Sequence, residues 1–217
     1  MPFQPRKPRV VAFAGSTRRP SKSRAVAEAI GAGVRSQLDV DVQVFDVFDA
    51  GPGLGAAFNR HQLSPEAAAI VEAVEQADAI IAVSPVYKGS YTGLFKHLFD
   101  FVDQNALVNK PVVVGATGGG HRHALIVEHQ LRPLFGFFSS LVVPTSVYVS
   151  DHEFLDGRII EPAVLQRIAL ASSQLALLLA AQWQATPAHP QITIAHPERL
   201  DPPAERRAAA SWSLLYS

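Results

Sequence analysis

The chain has 217 residues, 48% of them apolar, with 19 basic and 19 acidic side chains and zero net charge. That is enough apolar material for one large domain with a full core, and the charge balance argues against a nucleic-acid or membrane-surface footprint. Cysteine is absent, which excludes disulfides, thiol nucleophiles and cysteine-ligated clusters, so any redox chemistry must come from a bound cofactor.

Met1–Arg9 is basic and Pro-containing, and Val10–Ala14 is too short for a signal core, so a cytoplasmic protein is expected. Val10–Ala14 reads as a buried first strand. Ser23–Leu38 reads as a helix with Ala25, Val26, Ala29, Ile30 and Val34 on one face. Val40–Val47 alternates as a second strand, and Ala50–Leu63 reads as a Gly-rich loop. Ser64-Pro65-Glu66 opens the next helix, with Ser as N-cap and Pro at its first position. Ile80–Val83 is a third strand, followed by a loop and an amphipathic helix at Leu94–Phe101. Val112–Ala116 is a fourth strand, and His123–Phe138 is helical with a kink or break at Pro133. Leu141–Val149 is a fifth strand interrupted by Pro144, and Pro162–Gln184 is a long last helix. No apolar run approaches membrane-spanning length.

Alternating strands and helices give a parallel sheet covered on both faces. The expected architecture is α/β: a flavodoxin-like, doubly wound, five-stranded parallel sheet of order 2-1-3-4-5. Residues 1–185 form this domain, and residues 186–217 a tail carrying five prolines. Ligands of such sheets sit beyond the carboxyl ends of the strands, at the switch between strands 1 and 3.

Three loops fall there. Gly15-Ser16-Thr17-Arg18-Arg19-Pro20-Ser21-Lys22-Ser23-Arg24 runs into the first helix, and hydroxyls with arginines at a helix N-terminus suit a phosphate. It is neither a Walker A loop, since Pro20 stands where the second glycine belongs, nor a dinucleotide GxGxxG. A solvated basic loop explains it about as well when it is taken alone. The loop after strand 3, Ser84-Pro85-Val86-Tyr87-Lys88-Gly89-Ser90-Tyr91-Thr92-Gly93, suits a flat aromatic ligand. Pro85 fixes the backbone, Gly89 permits close approach, and the tyrosines offer apolar faces with polar tips. Ala116-Thr117-Gly118-Gly119-Gly120-His121 offers bare backbone amides to a polar ring edge. His121, His123 and His129 lie among no familiar ligand spacing, so no metal site is expected.

Together these loops resemble the flavodoxin-like NAD(P)H-dependent FMN reductases, over about Val10–Val149, and most nearly the reductases of two-component alkanesulfonate and methanesulfonate monooxygenases. Leu131-Arg132-Pro133 resembles the family's later helix. The resemblance implies FMN held at its phosphate by Ser16, Arg18, Ser21, Ser23 and Arg24. It implies Pro85, Val86, Tyr87, Lys88, Gly89 and Ser90 along the isoalloxazine, and Thr117, Gly118 and Gly119 at its polar edge. It also implies hydride transfer from NADH or NADPH, reduced FMN passed to a monooxygenase partner, a homodimer or homotetramer, and a π-bulge near His129 at a subunit interface. Two other readings stay open. One is a quinone, azo-dye or chromate reductase with tightly held FMN. The other is a flavodoxin-like electron carrier, which the neutral charge and the arginines Arg18 and Arg24 disfavour.

Overall fold

The computed structural model describes residues 6–184; the expected tail lies outside the described residues. The sheet is parallel, in the order β2-β1-β3-β4-β5. β1 is Arg9–Ala14, β2 Asp41–Asp46, β3 Ala79–Pro85 and β4 Pro111–Gly118. β1, β3 and β4 are buried almost throughout, so their apolar residues run on without a polar alternation, as strands covered on both faces require. β2 is the edge strand and alternates between exposed and half-buried positions.

The fifth strand comes in two pieces. β5, Leu141–Val142, pairs with the beginning of β4, and β6, Val147–Ser150, pairs with its end. Pro144 stands in the gap, where its missing N–H cannot extend the ladder. Arg132 closes this gap by donating to the carbonyls of Val143 and Pro144 at 3.0 and 3.2 Å.

Successive strand residues face opposite sides, which creates two cores. On one face Val10, Ala12 and Ile81 meet α1 (Lys22–Arg35) and α7 (Pro162–Gln184). On the other, Val11, Phe13 and Val114 meet α4 (Pro65–Gln76), α5 (Gly93–Asp100) and α6 (Arg132–Phe137). Phe13, Phe95, Phe99 and Phe135 form one aromatic cluster there. Contrary to the sequence reading, α7 has the length and hydropathy of a membrane helix. Its Val164, Ile168, Ala171, Leu175 and Leu179 are nonetheless buried against the sheet and α1. Ser172 Oγ donates at 3.0 Å to the Ile30 carbonyl.

Three further segments depart from expectation. Val47, expected to end the second strand, instead opens α2 (Val47–Ala50), and the expected loop Ala50–Leu63 contains α3 (Pro52–Ala56) and a 3-10 turn at Arg60–Gln62. Asp46 and Asp49 supply a reciprocal capping box for α2, a local signal that glycine content obscured. The helix expected from His123 begins later: a 3-10 turn at His121–His123 precedes a π-helical turn at Val127–Leu131, and α6 follows. This π turn includes His129, at the expected bulge. Pro133 has no N–H to give to the His129 carbonyl, so an α-helical ladder is interrupted here in any case. Last, a small hairpin pairs β7 (Phe154–Leu155) with β8 (Arg158–Ile159) through an Asp156-Gly157 turn. Both turn residues have positive φ, 48° and 76°, as a two-residue hairpin turn demands.

Candidate functional site

Loop 1, Gly15–Ser21, leaves β1 under close constraint. The Gly15 N–H donates to the Val83 carbonyl at 2.8 Å, and Thr92, the N-cap of α5, donates its hydroxyl to the Gly15 carbonyl at 2.8 Å. A Cβ at Gly15 would stand 2.8 Å from both Phe95 Cβ and Ser84 Oγ, so the close approach of α5 explains the glycine. Ser16 is buried. Its hydroxyl accepts the Arg18 N–H at 3.3 Å and donates to the Arg18 carbonyl at 3.0 Å, closing a tight turn. Ser21 caps α1 by accepting the Arg24 N–H at 3.1 Å.

The three arginines of this region are used differently. Arg24 pairs with Asp46 and Asp49 at 3.0 and 2.8 Å and with Glu28 at 2.9 Å. Arg19 pairs with the same Asp46 and Asp49, at 3.0 and 2.5 Å. Burial pushes the Asp49 carboxyl up, but Arg19, the Asp46 N–H and Arg24 together pull it below the usual carboxylate range. Among the described residues, the Arg18 guanidinium has no carboxylate partner.

Loop 2 turns sharply after β3. Lys88 and Gly89 have φ of 54° and 84°, and Tyr87 and Ser90 exchange backbone hydrogen bonds of 2.9 and 3.2 Å across them. Two consecutive left-handed residues make a tight mirror-image turn, which glycine adopts freely and lysine at some cost. Tyr87 is 42% exposed. The Ser90 hydroxyl donates to Gln130 Oε1 at 3.2 Å, linking this turn to the π-helical segment.

Loop 3 continues from β4. Thr117 is buried, and its hydroxyl lies 2.7 Å from that of Ser23, so the first turn of α1 is joined to the end of β4. A Cβ at Gly118 would fall 2.4 Å from Tyr148 Oη. That phenol donates to the Gly120 carbonyl at 2.6 Å. Burial and the nearby Asp151 and Glu153 carboxylates raise its pKa.

These loops enclose a cavity of about 480 Å³ beyond the ends of β1, β3 and β4, within the usual range for small-molecule sites. Of the residues singled out in the sequence, Ser16, Arg18, Ser21 and Ser23 line it from loop 1 and the start of α1, and Pro85, Val86, Tyr87, Thr117, Gly118 and Gly119 line it from loops 2 and 3. Arg24, Lys88, Gly89 and Ser90 are not brought to its wall: Arg24 is turned to its carboxylates, and the others form the turn beyond Tyr87. Arg19, Pro20, Lys22 and Asp151 line the cavity although they were not singled out. The first three lie inside the motif already recognised. Asp151 had no local signal, because only the pairing of β6 with β4 carries it there, where it meets Lys22 at 2.9 Å.

The cavity suits a long ligand with an anion at one end and a flat ring at the other. An uncommitted guanidinium and three serines stand where the first turn of α1 has N–H groups without helical partners. Apolar Val86, the ring of Tyr87 and the glycine backbone also line the cavity.

Residues 8–154 match the family model described as NADPH-dependent FMN reductase. An FMN reductase (NADPH) of Pseudomonas aeruginosa is 44% identical over 170 residues, which is 78% of this chain and 91% of that protein. The NADH-dependent FMN reductase SfnE of Pseudomonas putida is 42% identical, over 79% of this chain and 92% of its own length. Among solved structures, an oxidoreductase from Corynebacterium diphtheriae superposes with a TM-score of 0.73 at 29% identity, covering 81% of this chain and 98% of that one. The NADH:FMN oxidoreductase EMOB in its apo form gives 0.68 at 30% identity, covering 78% and 88%.

Proposed function

Because the chain belongs to the NADPH-dependent FMN reductase family and is an NAD(P)H:FMN oxidoreductase, we propose that FMN binds in this cavity with its phosphate at loop 1. The single observation that carries the placement is Arg18, a cation without a carboxylate partner among the described residues, beside Ser16, Ser21 and Ser23. The reaction itself is hydride transfer from a reduced nicotinamide to the flavin ring when both are present.

The chain's own residues would orient and shield. Ser16, Arg18, Ser21, Ser23 and the free N–H groups of the first turn of α1 would hold the phosphate. Pro85, Val86 and Tyr87 would wall the ring, and Thr117, Gly118 and Gly119 would meet its polar edge with backbone donors. Lys88, Gly89 and Ser90 would set the turn that aims Tyr87. Arg24 is a positioning residue in this reading, since it fixes Asp46 and Asp49 behind loop 1.

The protein then works in the cytoplasm, where reduced nicotinamide is supplied, and releases reduced FMN to a monooxygenase. It works as a homodimer or homotetramer; exposed Leu125 just before the π-helical turn and exposed Phe137 at the end of α6 support such a contact.

The test is nicotinamide oxidation by desalted protein with and without added FMN. Turnover that requires added FMN supports a dissociable flavin. Turnover without it, stimulated only by quinone or azo dye, replaces this reading with that of a prosthetic-flavin reductase.

A further inference from the structure

Next to the cavity-lining Gly118, Gly119 and Asp151, the fold assembles a group that sequence spacing did not reveal. His121 follows loop 3, and His152 and Glu153 follow β6. Their potential ligand atoms all lie within 4.8 Å of one another. The Nε2 atoms of His121 and His152 are 3.1 Å apart, and the rings meet edge to face at 77°. Two nitrogens bound to one zinc ion at about 2.05 Å and a tetrahedral angle lie about 3.3 Å apart. Glu153 Oε1 stands 3.9 Å from His121 Nε2.

The carboxylate is built in rather than solvated. Glu153 is 9% exposed. Its Oε2 accepts the Ser150 N–H at 2.6 Å and the Ser150 hydroxyl at 2.8 Å. These bonds fix the plane of the carboxylate and leave Oε1 toward the imidazoles, as outer partners do for ligating carboxylates. Both imidazoles are exposed, so they can pivot by the fraction of an ångström that closure on an ion requires. Asp151, which opens the same 3-10 turn as His152 and Glu153, is already paired with Lys22.

We propose that His121, His152 and Glu153 form a binding site for a divalent cation of the zinc class, with water completing the coordination. Two neutral imidazoles and one carboxylate suit such borderline ions better than magnesium or calcium, which prefer all-oxygen shells. The ion would staple loop 3 to the segment after β6. It would therefore stiffen the glycine backbone at one edge of the cavity. Ion binding requires no flavin and so stands apart from the functional reading above.

Tag-free, chelator-stripped, full-length protein is titrated with zinc chloride by calorimetry, and with cobalt chloride by visible absorption. One ion per chain is expected, with cobalt bands of intensity typical of four or five ligands. His121→Ala and His152→Ala should each weaken binding at least about tenfold, whereas His61→Ala and His123→Ala should leave it unchanged. Both substituted ligands are exposed, so unchanged circular dichroism accompanies the loss. No saturable binding, or equal affinity in His121→Ala, His152→Ala and the parent protein, overturns the proposal.

Discussion

Loop 1 and loop 2 line the same cavity, yet they are built on opposite plans. Loop 1 is tied from behind: Gly15 is locked by Val83 and Thr92, Ser16 is buried, and Ser23 meets Thr117. Loop 2 is a two-residue turn whose Tyr87 is 42% exposed and whose Ser90 donates to Gln130. Under the proposed FMN placement, the fixed loop would hold the phosphate with little ordering cost on binding, and the open loop would admit a second ring and let a reduced flavin leave.

The largest expected effect comes from prying loop 1 off its support. Gly15→Ala puts a methyl 2.8 Å from Phe95 Cβ and Ser84 Oγ. It should lower unfolding free energy by about 3 kcal/mol, the upper end for overpacking, and abolish measurable FMN binding. Denaturant titration and flavin fluorescence quenching check both, and a fully stable variant with parental affinity breaks the contrast.

Next comes the split between arginines. Arg18→Ala should weaken FMN about thirtyfold, from a charge-assisted bond worth about 2 kcal/mol, and leave riboflavin unaffected. Arg24→Ala should cost about 1 kcal/mol of stability and affect FMN and riboflavin alike. Selective loss of FMN affinity in Arg24→Ala would return that residue to the phosphate.

Acid acts next, and through the support rather than the site. Asp49 is held below its ordinary pKa, as are Glu75, Asp78 and Glu128, all by arginine partners against an opposing burial effect. A depressed folded pKa means the unfolded chain binds protons first. This stability is therefore complete above the unfolded pKa, about 4, and is lost as pH falls through the lower folded values. Urea midpoints should hold from neutral pH down to about 5 and then drop, and Asp49→Asn should make that drop shallower.

The smallest effect is at the open loop. Tyr87→Phe should change stability by less than about 0.5 kcal/mol, and Tyr87→Ala should raise KM for the nicotinamide more than it lowers FMN affinity. Steady-state kinetics with each substrate varied separates the two.

Much of this was legible because it is local. Buried parallel strands announce themselves as apolar runs, and Ser21, Ser64 and Thr92 sit as helix caps beside their own helices. The arginines show where local reading stops. Arg18, Arg19 and Arg24 look alike in sequence, but Asp46 at the end of β2 and Asp49 just after it pair with Arg19 and Arg24 and not with Arg18. The Asp46–Asp49 capping box was legible in principle, yet the glycines after it pointed to a loop.

The sequence by itself determined the alternation of strands and helices, the strand order, the three loops and their glycines, since periodicity, caps and turn residues act over a few positions. Only the tertiary structure decided which arginine stays free for an anion, that Asp151 reaches the cavity, and that His121 meets His152 and Glu153. Those juxtapositions arise from parallel pairing, which lines up the ends of β1, β3, β4 and β6 in that order although long stretches of chain separate them.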